Sequence, residues 1–458
     1  MWSLRNLVAL AFATAAAAVS TAGNRLLVVL ESVEEKDVYG QFLGDLKARG
    51  FDITYDTPRS EDLSLFHLGE RKYDHLLFLP TKVKGLGPHL TPNLLVDFVN
   101  AQGNILLALS STTPASTSIV ALLSELDIAL PAERTGTIVD HFNYDSVSAA
   151  ETHDVLVLDA PTNVRPGLKT YFEMPGSVLS FPHAAGHVLG SGPLLTPVVR
   201  APATAYSYSP KEQSDVVDPD DLFAAGKQLA IVSVLQARNS ARLTVLGSAE
   251  MLQDKWLDAK VAKNGETHIK TENREFARRL SGWTFQEIGV LRVNEIEHKL
   301  WGDDEKNPSI YRIKTEVSYS ISVSEYSWDK WVPFALPEDD SLQLEFSMLS
   351  PFHRLSLKPE LTTPEATVYG TTFTLPDQHG IFNFKVNYKR PFLTNVEEKN
   401  TVSVRHFAHD EWPRSFVISG AWPWISGIGA TITGFVGFCA IWMYSKPMGK
   451  AASAKKNS

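Results

Sequence analysis

Two serines stand where a strand would hand over to a helix: Ser110 in L-A-L-S-S-T (Leu107–Thr112) and Ser248 in V-L-G-S-A-E (Val245–Glu250). A serine nucleophile at such a turn needs the glycines of G-x-S-x-G, which tolerate its strained backbone. Neither stretch carries them, so both serines read as cap or turn residues. His183 and His187 lie four apart in P-H-A-A-G-H, the spacing of metal ligands that share a helix face. Pro182, Gly186, Gly190 and Gly192 argue for a loop there instead. Gly190-x-Gly192 lacks the preceding strand and following helix that cradling a phosphate requires. His406, His409, Asp410 and Glu411 crowd R-H-F-A-H-D-E-W-P-R, a donor set too unspecific to name a metal. Glu338, Asp339 and Asp340 follow a proline and read as a solvated turn. Nothing here assembles a catalytic site, and neither a cofactor nor a metal is expected.

The elements around these residues fall into two styles. Over residues 25–130, strand and helix signals alternate: R-L-L-V-V-L-E (Arg25–Glu31), a helical Val38–Arg49 stopped by Gly50, Phe51–Tyr55, Tyr73–Pro80, a helix over Thr91–Asn100 and a strand over Asn104–Leu109. Thr91 is placed to cap its helix, with Pro92 at the first helical position. Strand–helix–strand at this spacing predicts a parallel sheet with helices on its faces. Strands are also expected at Asp154–Leu158, Gln228–Leu235 and Arg242–Leu246, a helix at Glu272–Leu280, and long loops over Pro161–Pro219. From Ile288 the pattern changes to period two. In Y-R-I-K-T-E-V-S-Y-S-I-S-V (Tyr311–Val323) the odd positions are apolar or Thr and the even ones polar. Ser341–Leu349, Gly380–Tyr388 and Thr401–Phe407 repeat the style, predicting an antiparallel β-sandwich.

The two ends bear on location. Arg5, an apolar run over Leu7–Val19, and small residues at Ser20 and Ala22 form a secretory signal peptide with a cut after Ala22. Ile425–Tyr444 is free of charge and long enough to span ~30 Å of hydrocarbon. Trp422 and Trp424 flank one edge, Trp442 and Tyr444 the other. Lys446, Lys450, Lys455 and Lys456 follow without an acid, which places the tail in the cytosol and the bulk outside it. Ser426, Ala430 and Gly434 make one small-residue stripe and Gly429, Thr433 and Gly437 a second, a face for packing against other membrane helices. Lys455 and Lys456, four and three residues from the end, fit a K-K-x-x retrieval address. The organisation expected is signal peptide 1–22, lumenal α/β region 23–287, lumenal β-sandwich region 288–420, membrane helix 421–444 and cytosolic tail 445–458.

Composition narrows the function classes. A net charge of −9 argues against nucleic acid as a partner. The single cysteine, Cys439, lies in the membrane span, which excludes a lumenal disulfide, cysteine nucleophile or cysteine metal site. The chain offers no N-x-S/T acceptor outside the excluded Asn307-Pro308-Ser309.

The stretch N-Y-K-R-P-F-L-T-N-V-E-E-K-N-T-V-S-V-R-H-F-A-H-D-E-W-P-R-S (Asn387–Ser415) resembles the membrane-proximal signature of the forty-eight-kilodalton subunit family of oligosaccharyltransferase. Tyr326–Phe334, Leu344–Leu355, the opening strand and the dilysine end are similar to the same family, so the resemblance runs from signal to tail. It implies a glutamine-amidotransferase-like α/β region without the catalytic cysteine, then β domains and one membrane helix. It implies a non-catalytic subunit of the endoplasmic reticulum complex that transfers a preassembled oligosaccharide from dolichyl diphosphate to Asn of N-x-S/T. The implied partners are the catalytic and accessory subunits and the membrane, with indirect contact to lipid-linked oligosaccharide or acceptor polypeptide. The family's catalytic chain carries W-W-D, absent here, and no catalytic residue carries over. Two other classes stay open on the residues alone: a free-standing lumenal hydrolase or amidotransferase-like enzyme, and a sorting receptor of the endoplasmic reticulum.

Overall fold

A computed structural model describes residues 20–162, 164–208, 222–263, 266–412 and 421–444. Most of the expected signal peptide and the whole 445–458 tail, with Lys455 and Lys456, lie outside the described residues.

The N-terminal region is built on one nine-stranded sheet: β1 (Arg25–Val29), β2 (Asp52–Asp56), β3 (His75–Phe78), β4 (Asn104–Ala108), β5 (Ile128–Ala129), β6 (His187–Leu189), β7 (Leu195–Arg200), β8 (Leu229–Gln236) and β9 (Arg242–Leu246). Its order is β2-β1-β3-β4-β9-β8-β6-β5, with β7 also on β8. The five strands from β2 to β9 run parallel. Leu26–Val29 are fully buried, as expected for a parallel strand covered on both faces. Helices α1 (Gly40–Ala48) and α4 (Asn273–Thr284) pack on one face and α2 (Pro92–Asn100) and α3 (Thr117–Glu125) on the other. Thr91 caps α2 by accepting from the Leu94 amide, and Ser116 caps α3 through Ile119. The helix expected over Val38–Arg49 begins instead as a 3-10 turn, Val33–Tyr39, and becomes α-helical at Gly40.

The expected parallel sheet holds for β1 to β4 and is corrected to a mixed one beyond them. β8 and β9 are joined by only Ala237–Ala241, too short for the crossover that parallel neighbours need, so they pair antiparallel. β6, β5 and β7 continue antiparallel from β8. The stretch expected as long loops over Pro161–Pro219 in fact holds strands at Val178–Pro182, His187–Leu189, Leu195–Arg200 and Tyr206–Tyr208. They are short and broken by proline; Pro197 sits at a register shift against β8.

From Ile288 two five-stranded sheets face each other across one apolar core. The first contains β10 (Ile288–Leu300), β12 (Glu316–Ser327), β13 (Lys330–Pro333), β16 (Lys358–Thr362) and β17 (Thr367–Thr374). The second contains β11 (Ile310–Arg312), β14 (Gln343–Ser347), β15 (Pro351–Ser356), β18 (Gly380–Tyr388) and β19 (Val396–Arg405). Tyr319 of one stacks on Phe384 of the other at 5.4 Å, and Phe384 and Phe382 pack with Phe346. Each such ring buried contributes about 1.5–3 kcal/mol. The expected single strand Tyr311–Val323 splits near Lys314, whose φ is +57°, yet Tyr311, Ile313, Val317, Tyr319, Ile321 and Val323 all enter the core as the alternation requires. β11 runs parallel to β19, so the region is not wholly antiparallel.

The seam between the regions is polar and buried. The Arg242 guanidinium donates to the carbonyls of Trp283 (2.6 Å), Ile288 (2.7 Å) and Gly289 (2.6 Å). Trp283 Nε1 donates to the Phe392 carbonyl at 2.9 Å. Tyr171 and Lys169 both donate to Glu325, at 2.8 and 2.6 Å. Helix α5 (Trp422–Met443) stands clear of both regions, long and apolar enough to cross a membrane.

Candidate functional site

A concavity in the N-terminal region opens beyond the carboxyl end of β4, where open α/β sheets bind ligands. It encloses about 680 Å³, and Thr112, His141, His153, Asp154, His183 and Tyr206 line it. Ser110 follows β4 and donates to Glu250 Oε1 at 2.5 Å, with Thr112 Oγ1 at 2.8 Å. Burial raises the Glu250 carboxyl above its ordinary range. Gly247, at the turn after β9, must be glycine: a Cβ would meet the Ala185 carbonyl at 2.4 Å. His183 and Asp154 form an ion pair at 3.0 Å. Their hydrogen bond raises the imidazole pKa and lowers the carboxylate's. Across the cleft His141 Nδ1 meets His153 Nδ1 at 2.5 Å and its Nε2 meets Tyr206 Oη at 3.1 Å.

The arrangement presents hydroxyls, imidazoles and carboxylates without the order of a hydrolase. Ser110 is held by a glutamate and a threonine, and among the described residues no imidazole is hydrogen-bonded to it. Ser248 donates to the Pro182 carbonyl and is buried, a structural role. His183 and His187 do not share a face. His183, at φ +45°, opens into the cleft, whereas His187 is buried on β6 against Ser233 Oγ at 2.6 Å. Gly190-x-Gly192 wraps an acid of its own chain, since Asp127 accepts from the Gly192 amide and leaves no room for a Cβ at Gly190.

After β19, Glu411 accepts from Arg405 twice at 2.8 Å and from the Ala408 amide, which holds its carboxyl down to about 2. No group of three metal-capable side chains occurs among the described residues. Asp340 is not a solvated turn residue. It is half-buried, accepting from Arg390 at 2.6 and 2.9 Å and from Tyr388 at 2.7 Å.

On α5, Ser426, Gly429, Ala430, Thr433, Gly434 and Gly437 are all exposed. Ser426 and Thr433 donate to the carbonyls of Pro423 and Gly429, so their hydroxyls are satisfied within the helix. A Cβ at Gly429, Gly434 or Gly437 would meet nothing within 4 Å.

A family model described as OST48, N-terminal domain matches residues 17–287, and one described as OST48 middle domain matches residues 298–446. The chain belongs to the OST48 family. It is 34% identical over 433 residues to the Schizosaccharomyces pombe dolichyl-diphosphooligosaccharide–protein glycosyltransferase subunit wbp1, covering 93% of this chain and 94% of that one. It is 30% identical to the 48 kDa subunit of the same enzyme in Danio rerio (93% of each chain) and 29% identical to that of Arabidopsis thaliana (92% and 93%). The OST48 N-terminal match ends at 287 and β10 starts at Ile288, so the family boundary and the change from α/β to β coincide.

Within this OST48 chain, sequence reasoning missed the cleft residues His141, His153 and Tyr206 and the seam residue Arg242. The strands Thr137–Val139 and Tyr206–Tyr208, which pair with each other, bring His141 to Tyr206. At three residues each they carry no readable periodicity.

Proposed function

We infer that this chain is an accessory subunit of the oligosaccharyltransferase complex, which transfers a preassembled oligosaccharide from dolichyl diphosphate to Asn of N-x-S/T in nascent polypeptides. The observation that carries the reading is family similarity over both regions and into the anchoring helix. Its role is that of a non-catalytic scaffold, supported by the serine that follows β4, Ser110, being engaged by a carboxylate rather than an imidazole. The chain is a single-pass protein of the endoplasmic reticulum membrane, bulk in the lumen and tail in the cytosol, with a glutamine-amidotransferase-like N-terminal region supported by the parallel half-sheet and its carboxyl-end cleft. The lumenal regions hold the catalytic and other accessory subunits, α5 packs through its small-residue face, and Lys455 and Lys456 retrieve unassembled copies. A free-standing hydrolase or a sorting receptor is not favoured.

The test is depletion followed by site-occupancy mass spectrometry of glycoproteins. Under-occupied sequons are expected, and normal occupancy after verified loss would overturn the reading. Purified chain that turned over a glycosyl or amide substrate would overturn the non-catalytic part alone.

A further inference from the structure

A second cleft, of about 470 Å³, opens on the surface over the seam between the two regions. Arg165 and Arg238 reach it from the N-terminal region, Lys389 and Arg390 from the β18–β19 connection, and Leu194 and Pro391 supply apolar wall. Among the described residues, no carboxylate lines it. Two of the four cations are matched by their own chain: Arg390 by Asp340 at 2.6 Å and Lys389 by Glu397 at 2.9 Å. The other two are not. Among the described residues, the Arg165 guanidinium has only a 3.5 Å contact with Thr196 Oγ1, and the Arg238 guanidinium has no carboxylate partner. Leu194, in the same lining, is 42% exposed.

Unmatched cations at one cleft run against the chain's net charge of −9. They create a local positive field that favours an anionic partner. The apolar wall selects among anions. A bare phosphate prefers convergent N–H donors and gains nothing from leucine or proline, whereas an extended peptide satisfies both features by alternating acidic and apolar side chains.

We propose that this cleft takes an extended, acidic segment of another polypeptide of the complex, with Arg165 and Arg238 pairing its carboxylates and Leu194 packing against its apolar residues. The proposal rests on the reading of this chain as a complex subunit. Because the cleft draws on both regions, such a segment would also brace the seam.

The test uses the full chain in the complex, carrying a photoreactive phenylalanine analogue at Leu194, with the cross-linked peptide mapped by mass spectrometry. An adduct to a segment of another subunit containing at least two acidic residues is expected. The R165E/R238E pair should reduce it about tenfold, and raising salt from 0.1 to 0.5 M should weaken it, as for exposed ion pairs. The same analogue at the exposed Leu361, far from the cleft in sequence and on edge strand β16, should not give that adduct. No adduct, an adduct to a lipid or glycan, an adduct to a segment without acids, or one unmoved by R165E/R238E would each overturn the proposal. Loss of all co-purifying subunits from the unsubstituted chain would instead overturn the complex reading, and the proposal with it. An unchanged proteolysis pattern for R165E/R238E separates lost binding from lost folding.

Discussion

The guanidinium of Arg242 lies 4.7 Å from the ring centroid of Trp283 and donates to that same residue's carbonyl. Its other partners are carbonyls at the start of β10 and at Phe392, so a buried charge is held by peptide dipoles and a ring face rather than by an acid. Burial brings its pKa down to about 9, still charged at neutral pH. Arg242→Met should strip these carbonyls of their guanidinium donors and cost on the order of 3 kcal/mol. Limited proteolysis should then cut between residues 284 and 290. Arg242→Lys should restore little, because one ammonium cannot reproduce the fork. A melting temperature within a degree of the parent for Arg242→Met would remove the seam from the stability of the fold.

Two buried histidines make the chain acid-sensitive. Burial lowers the pKa of His75 and of His187 to about 4, against 6.5 for a free histidine. The unfolded chain therefore binds more protons between those values, and stability falls as pH drops from 6.5 toward 4. His183 carries the opposite sign: its raised pKa contributes stability that is full below 6.5 and lost as pH rises through the raised value. Asp154, lowered by the same bond, contributes above 3.8 and loses that as pH falls through its own value. Thermal melts from pH 7.5 to 4.5 should show a steep loss below 6.5, shallower in His187→Asn. Because burial raises the Glu287 carboxyl to about 7, a contribution of opposite sign over the same window, the deciding comparison is with the variant: a His187→Asn profile parallel to the parent's would contradict the neutral burial of that ring.

The stripes on α5 predict a directional effect. Gly434→Leu or Gly437→Leu should lower co-purification of the other subunits several-fold, by holding the backbones apart. Val436→Leu, two residues from Gly434 and so about 200° around the helix, should not. Equal recovery of partners with all three variants would assign the glycines to composition alone.

The expected signal cleavage is also testable. Ser20 is buried, donates to the Phe285 carbonyl at 2.6 Å and lies 3.2 Å from His75 Nε2, and the Thr21 hydroxyl donates to the Gln286 carbonyl at 3.2 Å. A cut after Ala22 discards these contacts. Small residues at Ala16 and Ala18 offer an alternative cut that keeps them and leaves Val19 at the terminus. Terminal sequencing of the mature chain should read V-S-T-A; a start at Gly23 would show that the contacts are dispensable.

What was legible in the sequence was what local pattern controls. Gly380–Tyr388 alternates cleanly because one face packs and the other is wet, and β18 has those bounds. Thr91 and Pro92 announced α2 because a cap is a local interaction. Arg242 looked like the polar start of a short strand; its partners lie 41 to 150 residues away, and no window of sequence holds them together. Asp340 likewise read as solvated until Tyr388 and Arg390 arrived from β18 and its exit. The direction of β8 was decided by the length of the link to β9, a signal present in the sequence and outweighed by the strand–helix rhythm before it.

That short link has a consequence in time. β8 and β9 form a local hairpin, yet β9 must insert beside β4, made well over a hundred residues earlier. The entropy of closing so long a loop comes before the contacts that reward it. For a chain made from its amino end, the first four parallel strands therefore wait with an open edge until residue 246 has emerged. During that interval the half-built sheet is most exposed to mispairing, and the hairpin's arrival is the event that ends it.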